Sequence, residues 1–270
     1  MAYDWIIDAL DETWSSLERL MRPQPDTAYQ RSTSCPGWSV QDVISHLVGF
    51  ELLVRGEVPP THEAAWPGYV RNPIGELNEA FVEYFRALSG PEVLALFRQT
   101  AGDSLTRLRA LDDESWARVG WSPEGERPYH RFMETRVLDS WIHLQDVRDA
   151  LLEPADDHGS GEEIVMNRFE AALPYVVGKK MNAPEGLVLR LNLSGRLARS
   201  VVIGVTQGRA VVWGQDAPLV NLEITTPVAL FWRRAAGRIS AEAFLAASAT
   251  QVRGNVGVAR VFAEALSIMI

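Results

Sequence analysis

Five histidines, at positions 46, 62, 130, 143 and 158, are the side chains in this sequence best suited to hold a metal or move a proton. Two of them form pairs with acids inside one stretch, "YHRFMETRVLDSWIHLQDVRDALL": His130 with Glu134, and Asp139 with His143. Residues four apart share a helix face, so either pair could grip one ion. At roughly 100° per residue the pairs point in nearly opposite directions, and they cannot both face one site. The helical wheel leaves the choice open. Val137, Trp141, Leu144, Val147 and Leu151 define the apolar arc. Glu134 falls inside that arc, whereas Asp139 and His143 fall beside it, in line with Arg136 and Asp146. The competing reading of this strip is a solvated face with a local ion pair. His62 and His158 sit in Pro/Gly-rich or acidic loops and read as solvated.

His46 belongs to a second stretch, "TSCPGWSVQDVISHLVGFE", Thr33 to Glu51. Ser39 stands where an N-cap belongs, and Asp42 follows three residues later as a short capping box. Val40, Val43, Ile44, Leu47 and Val54 then recur at helical spacing, with His46 among them. On its own it reads as a satisfied core or boundary histidine more readily than as a ligand awaiting partners from elsewhere in the chain.

The elements that must position these groups change character along the chain. Trp5, Ile6, Ala9, Leu10, Trp14, Leu17, Leu20 and Met21 form an apolar stripe at spacings of three and four. Prolines at 23, 25 and 36 break the pattern before a second helix, from about Val40 to Arg55. Helix resumes at Glu76 after a Pro/Gly-rich loop, pauses at Ser89 to Pro91 and continues to about Leu111. The histidine-bearing stretch ends before Pro154. Four helical regions over residues 1 to 152 argue for an all-α four-helix bundle. Residues 153 to 163, "EPADDHGSGEE", read as a polar linker. From 164 to 270 the pattern is that of a smaller α+β domain with an antiparallel or mixed sheet. It opens on a helix from Ile164 to Val177, and "GLVLRLNLSG", "RSVVIGVTQG" and "RAVVWGQ" then read as strands joined by tight turns. "TTPVALFWRRAAG" and "VGVARVFAEALSI" return to helical spacing.

Composition narrows the partners. The chain has 270 residues, 47% hydrophobic and 23% charged, a globular balance. Net charge is −9 and no basic run could follow a phosphate backbone, which argues against nucleic acid. The N-terminal segment is acidic and lacks the basic region of a signal peptide. No apolar run approaches the roughly 18 residues of a membrane span. A soluble cytoplasmic protein is expected. Cys35 is the single cysteine, which excludes an internal disulfide and a cysteine-rich zinc site. Arginine outnumbers lysine overwhelmingly, as in proteins from GC-rich genomes.

"CPGWSVQDVISHL", followed about ninety residues later by "RVLDSWIHLQDVRDAL", resembles the mycothiol-dependent maleylpyruvate isomerase family and, more distantly, the DinB-like metal-binding helix bundles. The Pro-Gly-Trp opening, His46, and the Trp141, His143, Asp146, Arg148 segment carry the likeness. It runs over essentially the whole chain and implies a DinB-like bundle followed by a sterol-carrier-like domain. By position it implies that His46, Asp139 and His143 hold a divalent metal, zinc in the family, with Asp139 standing where the pattern has Glu. It also implies mycothiol, or a similar low-molecular-weight thiol, as cofactor and an electrophilic small molecule as substrate. Two imidazoles and one carboxylate leave positions open on zinc, which suits catalysis. A thiol bound there would lose its proton and become the nucleophile. Addition to a conjugated cis double bond, rotation and expulsion would isomerise it; transfer to an electrophile would make an S-transferase. Arg136 and Arg148 are candidates to hold carboxylates of substrate or cofactor. Cys35, in a loop before proline, is expected to be dispensable. The alternative is a non-catalytic binding protein, with a metal-stabilised bundle and a C-terminal domain that holds an apolar ligand or a partner.

Overall fold

The computed structural model describes residues 2–61, 65–155, 159–214 and 219–269, so His62 and His158 lie outside the described residues. The chain divides into two compact units, Met1–Ile164 and Val165–Ile270. The division falls within one helix, at the end of the polar stretch 153–163.

The first unit contains α1 (Asp4–Met21), α2 (Asp26–Tyr29), α3 (Val40–Val54), α4 (Pro73–Phe85), α5 (Gly90–Arg109), α6 (Asp113–Ala117) and α7 (Tyr129–Leu151). The four long helices α1, α3, α5 and α7 make the bundle, and α4 packs on α3. Its core is the expected apolar stripes laid together: Ile6, Leu10, Trp14 and Leu17 meet Val43, Ile44, Leu47, Val93, Phe97, Val137, Leu144 and Val147. Burying each such side chain contributes about 1.5–3 kcal/mol. Local chemistry sets the helix starts. Ser39 and Asp42 form the capping box of α3, with the Ser39 N–H donating to Asp42 Oδ2 at 2.9 Å and the Asp42 N–H to Ser39 Oγ at 3.2 Å. Asn72 caps α4 ahead of Pro73, and Glu92 accepts from the Ser89 N–H at the start of α5, where Pro91 occupies the first turn. Gly49 lets α3 and α4 approach: a Cβ there would lie 2.4 Å from Phe81 Cβ. Between α6 and α7 a two-residue antiparallel ladder, β1 (Val119–Gly120) with β2 (Arg127–Pro128), closes a turn and adds no layer.

Helix α7 departs from the wheel's suggestion of a solvated polar strip. Fifteen of its 23 residues are buried, because α1 and α3 both pack against it. Arg136, His143 and Asp146 are 1%, 5% and 1% exposed. Polar groups at these positions must find partners within the protein.

In the second unit, α8 (Ser160–Tyr175) runs through Pro174 into a π-helical turn, Val176–Lys180. A five-stranded sheet follows, built from β3 (Val188–Ser194), β4 (Arg199–Thr206), β5 (Arg209–Trp213), β6 (Leu222–Pro227) and β7 (Gln251–Gly254) in the order β5-β4-β3-β6-β7. β3 and β6 are parallel and the other neighbours antiparallel, so the sheet is mixed. Gln207 and Gly208, both at positive φ (52° and 70°), make the two-residue β4–β5 turn. The helices are α9 (Val228–Ala235), α10 (Ala241–Ala246) and α11 (Val256–Ala265). β6, β7 and α10 go beyond the sequence reading: β6 runs straight into α9 through Pro227, and β7 has only four residues.

Candidate functional site

His46 from the second turn of α3 meets Asp139 and His143 from the middle of α7. One ligand atom from each of the three lies within 4.8 Å of the others. His46 Nε2 is 3.1 Å from Asp139 Oδ2, and His143 Nε2 is 3.5 Å from Asp139 Oδ1. The rings of the two histidines meet edge to face at 4.8 Å.

Each member is held from behind. The His143 Nδ1–H donates to Asp146 Oδ2 at 3.0 Å, since a carboxylate can only accept. That bond turns Nε2 toward Asp139. The Arg136 Nη1 donates to Asp139 Oδ2 at 2.6 Å, while its Nε and Nη2 both reach Glu51 Oε1 at 3.0 Å. The guanidinium lies over the Phe50 ring, 4.1 Å from its centre. Trp38 packs against both imidazoles, at 5.2 Å from His46 and 6.1 Å from His143. Its indole N–H donates to Glu79 Oε2 at 2.9 Å, and Tyr69 donates to the other oxygen of Glu79 at 2.8 Å.

Electrostatics agree with this wiring. Burial works against a charged His143, yet Asp139 and Asp146 hold its pKa well above the usual imidazole value. Burial would raise the Asp139 carboxyl, but His46, His143 and Arg136 hold it well below its ordinary value. Burial dominates at His46 and lowers its pKa, with Asp139 only partly offsetting it. The trio is thus a carboxylate facing two imidazole nitrogens in a dry setting, an arrangement that favours a cation between them. The donor set, two Nε2 atoms and one carboxylate oxygen, fits a divalent metal of the zinc class.

The other sequence candidates go elsewhere. His130 stacks on Tyr3 at 5.1 Å, with Nδ1 3.3 Å from the Trp116 carbonyl. Glu134 pairs with Arg131 at 2.8 Å. Arg136 turns inward to Glu51 and Asp139. Arg148 donates to the Pro154 carbonyl at 2.9 Å and to Ser16 Oγ at 3.3 Å.

Cys35 lies in the loop before Pro36, as expected, and is buried there beside the trio. Its side chain is 9% exposed, with Sγ 3.3 Å from Asp146 Oδ2 and 3.9 Å from His143 Nδ1. Cys35, His143 and Asp146 therefore form a second donor cluster sharing His143 with the first. Neither this cluster nor Glu51 and Glu79 follow from spacing, because the links Trp38–Glu79, Glu51–Arg136 and Cys35–Asp146 span 41, 85 and 111 residues. A cavity of about 850 Å³ opens beside Cys35, Trp38, Tyr69 and Arg86, but none of the trio lines it.

Among the described residues no helix is long and apolar enough to cross a membrane. No curated protein matches the chain. Two solved structures share its fold. A crystal structure of the mycothiol-dependent maleylpyruvate isomerase aligns at a TM-score of 0.60 and 15% identity, covering 93% of each chain. A histidine-to-alanine mutant of the mycothiol-dependent maleylpyruvate isomerase aligns at 0.55 and 16%, covering 88% of this chain and 90% of that one. The model of the mycothiol maleylpyruvate isomerase N-terminal domain matches residues 10–148, a span that holds His46, Asp139 and His143 and just over half of the chain. The chain belongs to that family.

Proposed function

We propose that this protein is a metal-dependent enzyme that uses a low-molecular-weight thiol, of the mycothiol kind, as its nucleophile. The reaction class we assign is cis–trans isomerisation of a conjugated unsaturated acid such as maleylpyruvate, with S-transfer to an electrophile as its close chemical neighbour. One observation carries the reading. In a chain of this family, His46, Asp139 and His143 converge from two helices, 93 residues apart in sequence, on a buried cluster of suitable donors.

His46 and His143 would hold a divalent metal through Nε2, and Asp139 through the carboxylate oxygen not bonded to Arg136. When bound, the metal supplies a Lewis acid that lowers the pKa of a coordinated thiol. The chain's own residues do the rest. Asp146 keeps the His143 lone pair on Nε2. Glu51 and Arg136 fix the Asp139 carboxylate. Trp38, tethered by Glu79, and Phe50 wall the imidazoles from water, which strengthens every charge interaction inside. Cys35 faces the Nδ1 edge of His143, away from the ligand edge, so the reacting thiol comes from outside the chain.

The test is elemental analysis of the purified protein together with a thiol-dependent isomerisation assay. Stoichiometric divalent metal is expected in the wild type and its loss in H46A, with ultraviolet conversion of a cis-unsaturated keto acid only when thiol is added. Equal metal in H46A, or turnover without thiol, would overturn the reading. Metal and thiol binding with no turnover of any cis acid or electrophile would favour a binding protein instead.

A further inference from the structure

The helical unit has a second recess, of about 240 Å³, where α5, α6 and the β1–β2 turn meet the start of α7. Arg107, Arg118 and Arg127 line it, with Tyr129, Ser115 and Trp121. Among the described residues no carboxylate lines it, although the chain as a whole carries a net charge of −9. Three guanidinium groups around one small volume repel one another unless an anion sits among them.

The hydrogen bonding has the same sign. Arg107 Nη1 donates to the Tyr129 hydroxyl oxygen at 3.1 Å, which leaves the phenolic proton to be donated onward. Arg107 Nε and Nη2 are buried and have no hydrogen-bond partner among the described residues. Both groups are closed off from solvent, so they stand behind the wall of the recess rather than opening into it. Asp112 caps α6 by accepting the Ser115 N–H at 2.8 Å and also attracts Arg118, but it does not line the recess. The Arg127 guanidinium donates to the carbonyl of its neighbour Glu126 at 2.9 Å. The walls are therefore rich in donors and positive charge. Trp121, 56% exposed and braced edge-on against Phe132 at 6.0 Å, adds a flat apolar wall.

We propose that this recess binds a small organic dicarboxylate, its charges on the arginines and its carbon skeleton against Trp121. A volume below the roughly 300–1,000 Å³ of drug-sized sites limits the ligand to a few carbons. The site is separate from the metal trio and does not rest on the metal reading. None of the trio lines the recess, and Tyr129 precedes Asp139 by ten residues, about 15 Å along the helix axis.

The experiment titrates the full-length, chelator-treated protein with succinate, following calorimetric heat and tryptophan fluorescence. Parallel arms use inorganic phosphate and the uncharged diamide of succinate. Succinate should bind at millimolar concentration or below and weaken as salt rises. Arg118 and Arg127 are exposed, so the double variant R118Q/R127Q should fold normally while losing about tenfold or more in affinity. W121F should retain binding and lose the fluorescence change. Failure of succinate to bind, or binding unaffected by R118Q/R127Q, overturns the proposal. Equal binding of the diamide removes its electrostatic basis, and equal binding of phosphate removes the organic-acid specificity.

Discussion

His143 divides its two ring nitrogens between tasks, Nε2 toward Asp139 and Nδ1 toward Asp146. Asp146→Asn could present an N–H to Nδ1 and favour the wrong tautomer, so metal affinity should fall about 10–100-fold by chelator competition. Unchanged affinity would mean that the tautomer is set elsewhere. Arg136 and Glu51, 1% and 4% exposed, form a buried ion pair. Arg136→Met strands Glu51 and should cost about 3–5 kcal/mol in urea unfolding. Glu51→Leu combined with Arg136→Met should recover most of that loss, since neither charge is then left alone. Cys35→Ser should leave metal content intact, because Sγ faces the Nδ1 edge of His143. At this scale spacing could pair Asp139 with His143, since i, i+4 is a local relation. It could not bring Cys35 or Glu51 to their partners, which only the packing of α3, α7 and the loop before α3 achieves.

Helix α3 is legible in the letters because its start is local chemistry: Ser39 and Asp42 satisfy each other's backbone N–H groups. The interior of α7 is less so. A wheel separates apolar from polar residues, but a helix packed by neighbours on two sides buries both, and Arg136 and Asp146 look like surface residues until α3 and α1 are in place. The sheet shows the same limit. β3 alternates along Leu189–Leu193 and β4 carries a continuous buried run from Val201 to Val205, whereas β6 is six residues that pass without a break into α9, so its period is too short to separate from the helix. Where α3 meets α4, Gly49 offers a test at this scale. Gly→Ala in an exposed helix interior stabilises by about 1 kcal/mol. Here the new methyl would meet Phe81 Cβ, which cannot rotate away. Gly49→Ala should instead destabilise by about 1–3 kcal/mol in thermal or urea unfolding and weaken metal binding by shifting His46 one turn earlier. A stabilised variant would show that α4 yields freely.

Across the whole molecule, the stretch that follows α7 is the weak point of the chain. Leu152 ends α7 in a left-handed conformation at φ 62°, is 88% exposed, and is followed by the exposed Glu153 and Pro154. Limited proteolysis should cut first between residues 152 and 155 and release two fragments, read by mass spectrometry. First cuts inside α5 or the β3–β4 hairpin would contradict this. The change of period across residues 153 to 163 was readable as a two-part chain, because it is a pattern summed over many residues. The registration of one part's helices was not, since it depends on interdigitation of side chains far apart in sequence.

The distance in sequence between His46 and its partners also sets an order of events during synthesis. The chain emerges at about 5–20 residues per second, so His46 waits several seconds for Asp139 and His143. Any ion that meets His46 in that interval finds one imidazole and no carboxylate. Once α7 has cleared the ribosome, all three donors are present while the second unit is still being added. On the proposed metal reading, the ligand set would therefore be complete within the first unit before the strands of the second exist.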